Sequence, residues 1–462
     1  MNQASAPLPA VQLPRVPRLQ SLRNSLAGNR DLLPVLDSVL DQGGDTVEMY
    51  IGGVRRTILT RDPGLVQHII QKNHRNYAKS AFTQGFARYV GHGLLTNEGA
   101  DWLRQRRLIQ PGFHRQRVAG LTGLMQEIIE HTFEPLTEQA RRSGGTVEVE
   151  THELMTRLTF RVIARSVFST AFSDAELDRA SELLTRIQGF YVRTIRQPYL
   201  LWWFKLSGQY KEHDQLTAEL RGLLARYIGQ RQASTTTPPD DLLQMLLDAR
   251  YEDSGEGMTP TQLLDEALIL VVAGHETSAN ALTWLLRLLA QHPDEVARIR
   301  AEAEAVLGGR TPTFADLPQL GRALWAVQEA MRLFPPAWML DRVALADDEY
   351  NGLRIAKGTL FSVYLHGLHH DAKHWPEPLA FRPERFAPEA QRQQSPYTYA
   401  PFGGGPRLCI GMQFALTEMQ LVVLELLRRF DVEWVDGQPP VLREPLITLR
   451  PKQDFKVRMR VR

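Results

Sequence analysis

Between Thr259 and Pro293 the sequence leaves room for one unbroken helix, and few features constrain a fold more than a rod of that length. Thr259-Pro260-Thr261-Gln262 supplies an N-cap threonine, a proline at the first helical position and a glutamine at the capping-box position. Pro293 closes the segment. At about 1.5 Å per residue, some 32 residues span roughly 48 Å, enough to cross a whole domain. The segment is apolar nearly all round, which predicts a central, buried helix. It is not a membrane span: its apolar run, Ala267 to Gly274, is broken by His275 and Glu276, and a span needs about 20 apolar residues.

Around that rod the pattern is helical from about 62 to 330, with turns at Ser143-Gly144-Gly145, 234–241 and 254–257. Residues 45–60 alternate apolar and polar about Gly52-Gly53 and predict a β-hairpin. Strand-like patches return at 339–363 and 441–462. The expected fold class is mainly α with a small β portion. It is a single helix-rich domain over 45–462, with β-sheet segments near its N- and C-terminal parts. Ahead of it, residues 1–44 form a Pro-containing N-terminal segment (Pro7, Pro9, Pro14, Pro17) without the apolar stretch of a signal peptide or anchor. A net charge of +2 argues against a dedicated nucleic-acid binder. One cysteine in 462 residues excludes an internal disulfide, which fits the cytoplasm.

That cysteine, Cys409, stands in PFGGGPRLCIGMQFA. Past Gly411 the apolar positions Met412, Ala415, Leu416, Met419, Val422 and Val423 follow one helix face, so Cys409 just precedes a helix N-terminus. Free N–H groups there lower a thiol pKa. Gly403, Gly405 and Gly411 let the backbone pass close to something flat and bulky. A small apolar residue at a helix start is one reading, and a thiolate metal ligand is the other. Zinc would want further Cys or His at ligand spacing, which is lacking, whereas a haem iron needs one axial thiolate.

Phe402-Gly403-x-Gly405-x-Arg407-x-Cys409-x-Gly411 resembles the haem-binding loop of the cytochrome P-450 family. The resemblance implies haem b with Cys409 as axial ligand and Arg407 facing a propionate. Ala273-Gly274-His275-Glu276-Thr277-Ser278, midway along the long helix, resembles the family's oxygen-activation motif. It implies Ala273 and Gly274 beside the haem, with a flattened groove as the reason for Gly274, and Glu276 and Thr277 as an acid–alcohol pair delivering protons. A bond from Thr277 back to the Ala273 carbonyl is the plainer reading of that threonine. Glu329-Ala330-Met331-Arg332 and Phe381-Arg382-Pro383-Glu384-Arg385-Phe386 resemble the segments that supply a buried Glu–Arg–Arg network, here Glu329, Arg332 and Arg385. Residues 101–114 resemble the family's C helix. There Trp102 and Arg106, with Arg342 further on, are implied propionate partners, and Arg104, Arg107, His114, Arg115 and Arg117 form a basic docking patch. His369-His370-Asp371-Ala372 departs from the family's usual turn without touching chemistry.

The implied activity is a haem-thiolate monooxygenase using O2 and two electrons from a ferredoxin or flavodoxin plus reductase. The expected protein is a monomer with no fused reductase, no transmembrane segment and no nucleic-acid partner. A peroxide-driven peroxygenase and a non-catalytic haem sensor are the alternatives, and retention of Glu276-Thr277 argues against both. Alignment places Phe82, Phe86, Leu270, Ala273, Ala337, Trp338 and Ile447 at a pocket for a lipophilic small molecule such as a fatty acid or terpenoid. The apolar run 199–206, YLLWWFKL, fits core, channel lid or membrane contact.

Overall fold

In the computed structural model the helix Pro260–Gln291 runs through the middle of the molecule, capped as the sequence dictates. The Thr259 hydroxyl accepts from the Gln262 N–H, and the Gln262 side chain accepts from the Thr259 N–H at 3.0 Å. Its most extensive neighbour is the helix Thr151–Phe168. A Cβ on Gly274 would sit 2.8 Å from Ile163 Cγ1, so this close helix–helix approach is what demands glycine. The Ile163 contact gives Gly274 a packing reason of its own, alongside the groove that the resemblance implies. The Thr159 hydroxyl seals the crossing by donating to the His275 carbonyl at 3.0 Å.

The structure describes residues 11–27, 31–169, 172–235, 237–239 and 241–462. Pro7 and Pro9, with Thr236 and Asp240 of the 234–241 loop, lie outside them. Within the N-terminal segment Arg18–Ala27 and Leu33–Gly43 are helical. Pro34 sits in the first turn of the second helix, where a missing N–H costs nothing. Leu33, Leu36 and Leu40 bury against Trp338, Tyr364 and Leu449.

The hairpin Thr46–Ile51/Arg55–Thr60 forms the edge of a five-stranded sheet. Leu360–Val363 joins it in parallel, and Leu340–Ala344 and Tyr77–Ala78 follow. A second sheet pairs Lys456–Val461 with both Thr146–Glu150 and Phe430–Trp434. These last two strands were missed in the sequence because helical segments flank them. Among the described residues no helix is long and apolar enough to cross a membrane.

Glu329 and Arg332, on the helix Gly321–Leu333, are fully buried. Arg332 Nε and Nη2 donate to the two Glu329 oxygens at 2.7 and 2.8 Å. Its remaining N–H groups go to the carbonyls of His369, Pro378 and Ala380. All five donors of this guanidinium are thus satisfied. Arg385 Nε reaches Glu329 at 3.3 Å, and its Nη2 donates to the carbonyls of Pro376 and Glu377.

Glu418, on the helix Met412–Arg429, is also fully buried, and neither of its carboxyl oxygens closes a hydrogen bond of ordinary geometry. Ser278 of the central helix faces it. Burial pushes its pKa up to about 8, so it holds a proton at neutral pH. A folded pKa above the unfolded value stabilises the fold at low pH, and that stabilisation fades as pH rises toward about 8. Glu418→Gln cannot ionise. It is expected to gain on wild type by up to roughly 1.4 kcal/mol per pH unit between about pH 5 and 8, read from urea unfolding. A stability difference that stays flat with pH would refute the buried, protonated state.

Candidate active site

The loop ahead of the helix Met412–Arg429 is shaped by its glycines. Gly403 and Gly405 have φ of 71° and 61°. A Cβ on Gly405 would lie 2.1 Å from the Ile70 carbonyl oxygen, so Gly405 makes room for the neighbouring backbone. Around Gly403 and Gly411 a Cβ would meet nothing closer than Leu340 at 4.0 Å and Phe113 at 3.9 Å, which leaves open space beside the cysteine. The loop folds back on itself as the Cys409 N–H donates to the Phe402 carbonyl at 3.0 Å.

The Cys409 side chain is accessible although protein surrounds it, so it opens into an enclosed space. Burial pushes the thiol above its ordinary pKa, while the Gly411 N–H and Arg106 pull it down. The expected lowering at a helix terminus is reversed, because desolvating a thiolate outweighs two favourable contacts.

Cations gather next to it. Arg106, on the helix Gly99–Ile109, donates to the Leu408 carbonyl at 2.9 Å. Arg407 lies over the ring of the buried Trp102, its Cζ 4.1 Å from the centroid, and pairs with Glu98. Burial drops the Arg407 pKa to about 10, and Glu98 works against that fall. Arg342 is buried, bonds the Asp341 carbonyl at 2.7 Å and makes no ion pair among the described residues. Burial lowers its pKa.

Sequence reasoning missed a fourth member, Lys79. Its ammonium donates to the carbonyls of Leu94, Leu95 and Asn97. Burial first, then the Arg407 charge, lowers its pKa to about 7. Neither Lys79 nor Glu98 belongs to a periodic or motif-bearing stretch, so nothing in the sequence marks them. Four buried or half-buried cations against Glu98 and Asp341 leave an unmet demand for anionic charge. An accessible thiol, open space at Gly403 and Gly411 and an excess of positive charge fit a flat, dianionic group whose metal takes the thiolate.

On the central helix Ala273 is exposed while Val272 and His275 beside it are buried, so the helix borders a space there. The Thr277 hydroxyl donates to the Ala273 carbonyl at 2.8 Å. The Glu276 carboxylate accepts from Thr448 at 2.8 Å. Phe82 is half-buried, with Arg55 over its ring at 4.6 Å, and Ala337 and Ile447 are half-buried too. Phe86 and Leu270 belong to the main apolar core, Phe86 against Tyr89 and Tyr191. Trp338 packs in the N-terminal cluster, and its ring N–H is taken by the Leu446 carbonyl at 2.9 Å. These three side chains are thus buried and in contact with their neighbours. Arg104 has contacts of its own: Asp253 accepts from it at 2.9 Å and the Tyr251 ring lies beneath it at 3.7 Å.

The cytochrome P450 family profile matches residues 14–459. Cyclooctatin synthase of Streptomyces melanosporofaciens is 36% identical over 400 residues, 85% of this chain and 84% of that protein. Cyclooctat-9-en-7-ol 5-monooxygenase of the same organism is 33% identical over 398 residues, with the same coverage. Among solved structures, the cytochrome P450DA heme domain superposes with a TM-score of 0.87 at 26% identity, covering 98% of each chain. A second cytochrome P450, CYP102L1, gives 0.85 at 25% identity over 99% of each. The chain therefore belongs to the cytochrome P450 family of haem-thiolate monooxygenases.

Proposed function

We propose that this monooxygenase hydroxylates a lipophilic small molecule, drawing two electrons from a separate ferredoxin or flavodoxin and its reductase, as a monomer in the cytoplasm. The observation that carries the reading is the accessible Cys409 thiol within a cationic enclosure. Haem, when bound, supplies dioxygen activation, favoured by the electron push of an axial thiolate. Cys409 provides that ligand, Arg342 and Arg407 with Trp102 and Arg106 hold the propionates, and Lys79 adds charge beside them. The proposal makes Cys409 and the stretch Ala273–Thr277 facing walls of one space. Thr277 holds water there, and Glu276 passes protons inward. The enclosing apolar residues keep bulk water out. The half-buried Phe82, Ala337 and Ile447 offer hydrocarbon contact. The name of one Streptomyces relative, cyclooctat-9-en-7-ol 5-monooxygenase, supports a lipophilic cyclic alcohol as the substrate class. Reconstitution with NAD(P)H, a ferredoxin system and such alcohols tests it, the expected product being one oxygen atom heavier.

Cys409→Ser is expected to lose the thiolate-type absorbance of the reduced, CO-bound protein, because a hydroxyl stays protonated at neutral pH. An unaltered CO spectrum would remove Cys409 from the haem.

Thr277→Ala is expected to keep haem content and substrate-induced spin shift, since Thr277 ligates nothing. Product per NAD(P)H should fall by about tenfold or more, with hydrogen peroxide making up the difference. Equal product ratios would leave Thr277 with only its bond to the Ala273 carbonyl.

The electron donor is proposed to dock beside the cysteine loop, near the groove of ≈ 610 Å³ that Gln71, His74, Tyr397 and Leu408 line. Arg107, His114 and Arg115 are exposed on the segment that follows Arg106. Arg107→Glu should slow reduction by an acidic ferredoxin roughly tenfold at low salt. The difference should close at high salt, with substrate binding unchanged. A rate indifferent to both salt and mutation places docking elsewhere.

A further inference from the structure

Asn280 is fully buried in the central helix, one turn beyond Glu276, with apolar Ala279, Ala281 and Leu282 around it. A buried amide is tolerated when its polar atoms are partnered, so its contacts show what holds it there. His152 Nε2 donates to Asn280 Oδ1 at 3.1 Å. Asn280 Nδ2 donates to Thr448 Oγ1 at 3.0 Å. Thr448 Oγ1 donates in turn to Glu276 Oε1 at 2.8 Å.

Each link sets the next. The imidazole N–H fixes which end of the Asn280 amide is oxygen. The amide N–H then occupies a lone pair of Thr448, which leaves the hydroxyl hydrogen to point at Glu276. His152 is itself pinned, because Asp454 accepts from the N–H groups of His152 and Glu153 at 2.7 and 2.9 Å. Three remote stretches of chain, near 152, 280 and 450, therefore converge on one carboxylate oxygen. Burial lowers the His152 pKa, in keeping with a neutral ring donating through Nε2. An amide is a poor proton carrier, so the chain orients and does not conduct.

We propose that His152, Asn280 and Thr448 are positioning residues that hold the Glu276 carboxylate by one oxygen and thereby aim the other at the space where O2 is reduced. The inference rests on reading Glu276 as the proton-passing acid.

The test uses full-length, haem-loaded enzyme with NAD(P)H and its ferredoxin system, and no organic substrate. O2 then leaves either as peroxide, with one NAD(P)H oxidised, or as two waters, with two NAD(P)H oxidised. Thr448→Val should cut the water-forming rate about tenfold, the usual scale for losing an outer hydrogen-bond partner. Thr448→Ser, which keeps the hydroxyl, should restore it. Adding Thr448→Val to Glu276→Gln should cost nothing further, because both act on one path. A crystal structure of Thr448→Val should show the Glu276 carboxylate in a different rotamer. Water formation at the wild-type rate in Thr448→Val, a Ser variant as slow as the Val variant, or an unmoved carboxylate would each overturn the proposal. Glu276→Gln with wild-type behaviour would instead refute the acid reading, while the Thr448→Val crystal structure still decides whether this chain holds the carboxylate.

Discussion

The Glu329–Arg332 pair anchors the route by which the chain reaches Cys409. A fully buried guanidinium is costly unless every donor is met, and here two carboxylate oxygens and three carbonyls meet them. The three carbonyls belong to residues 369–380, so the pair fixes a stretch of irregular backbone that has no ladder of its own. His369 carries the constraint onward, because its Nε2 accepts from the Ala400 N–H at 3.0 Å. Ala400 accepts from Gly403, and Phe402 from Cys409. Five consecutive contacts thus connect a helix interior to the position of one sulfur. Removing one partner of such a pair costs about 3–5 kcal/mol, and the loss falls on the ligand loop as well as on the helix.

The same fold tolerates an opposite arrangement a few residues away. Arg342 is buried without a carboxylate partner, and Lys79 is buried against carbonyls only. Their lowered pKa values record what desolvation costs. An uncompensated cluster of this kind weakens the protein alone and strengthens its hold on an anionic group, which is the usual signature of a binding site against a structural ion pair.

Legibility in the sequence followed the range of the interactions involved. The central helix was readable to both ends because its caps are local: Thr259, Pro260 and Gln262 at one end and Pro293 at the other. The hairpin at Gly52-Gly53 was readable for the same reason. The cysteine loop was readable as a motif, although the motif did not reveal that Gly405 yields to the Ile70 backbone. What stayed hidden depends on partners far along the chain. Gly274 answers to Ile163, Arg104 to Asp253 and Trp338 to Leu446. The strand Thr146–Glu150 has its alternation in the sequence, Thr-Val-Glu-Val-Glu after two glycines, yet its pairing partner lies three hundred residues away. Asn280 and Thr448 carry no signal at all until the fold sets them beside Glu276.

The apolar run 199–206 shows how one stretch divides between two environments. Phe204 is fully buried, edge-on to Phe190 at 5.6 Å, and anchors the short helix Leu201–Leu206. Trp202, Trp203 and Leu206 point outward, with 61%, 49% and 76% of their surface exposed. Core packing therefore accounts for Phe204 and, in part, for Leu200 and Leu201, and leaves Tyr199, Trp202, Trp203 and Leu206 in contact with solvent. A six-residue helix held at Phe204 and the half-buried Leu201 has few buried contacts to lose on opening. The central helix, buried along most of its length, has many. The proposed enclosed site for a lipophilic molecule would use both kinds of wall: one that fixes the reacting groups against displacement, and one whose displacement is cheap enough to admit the substrate.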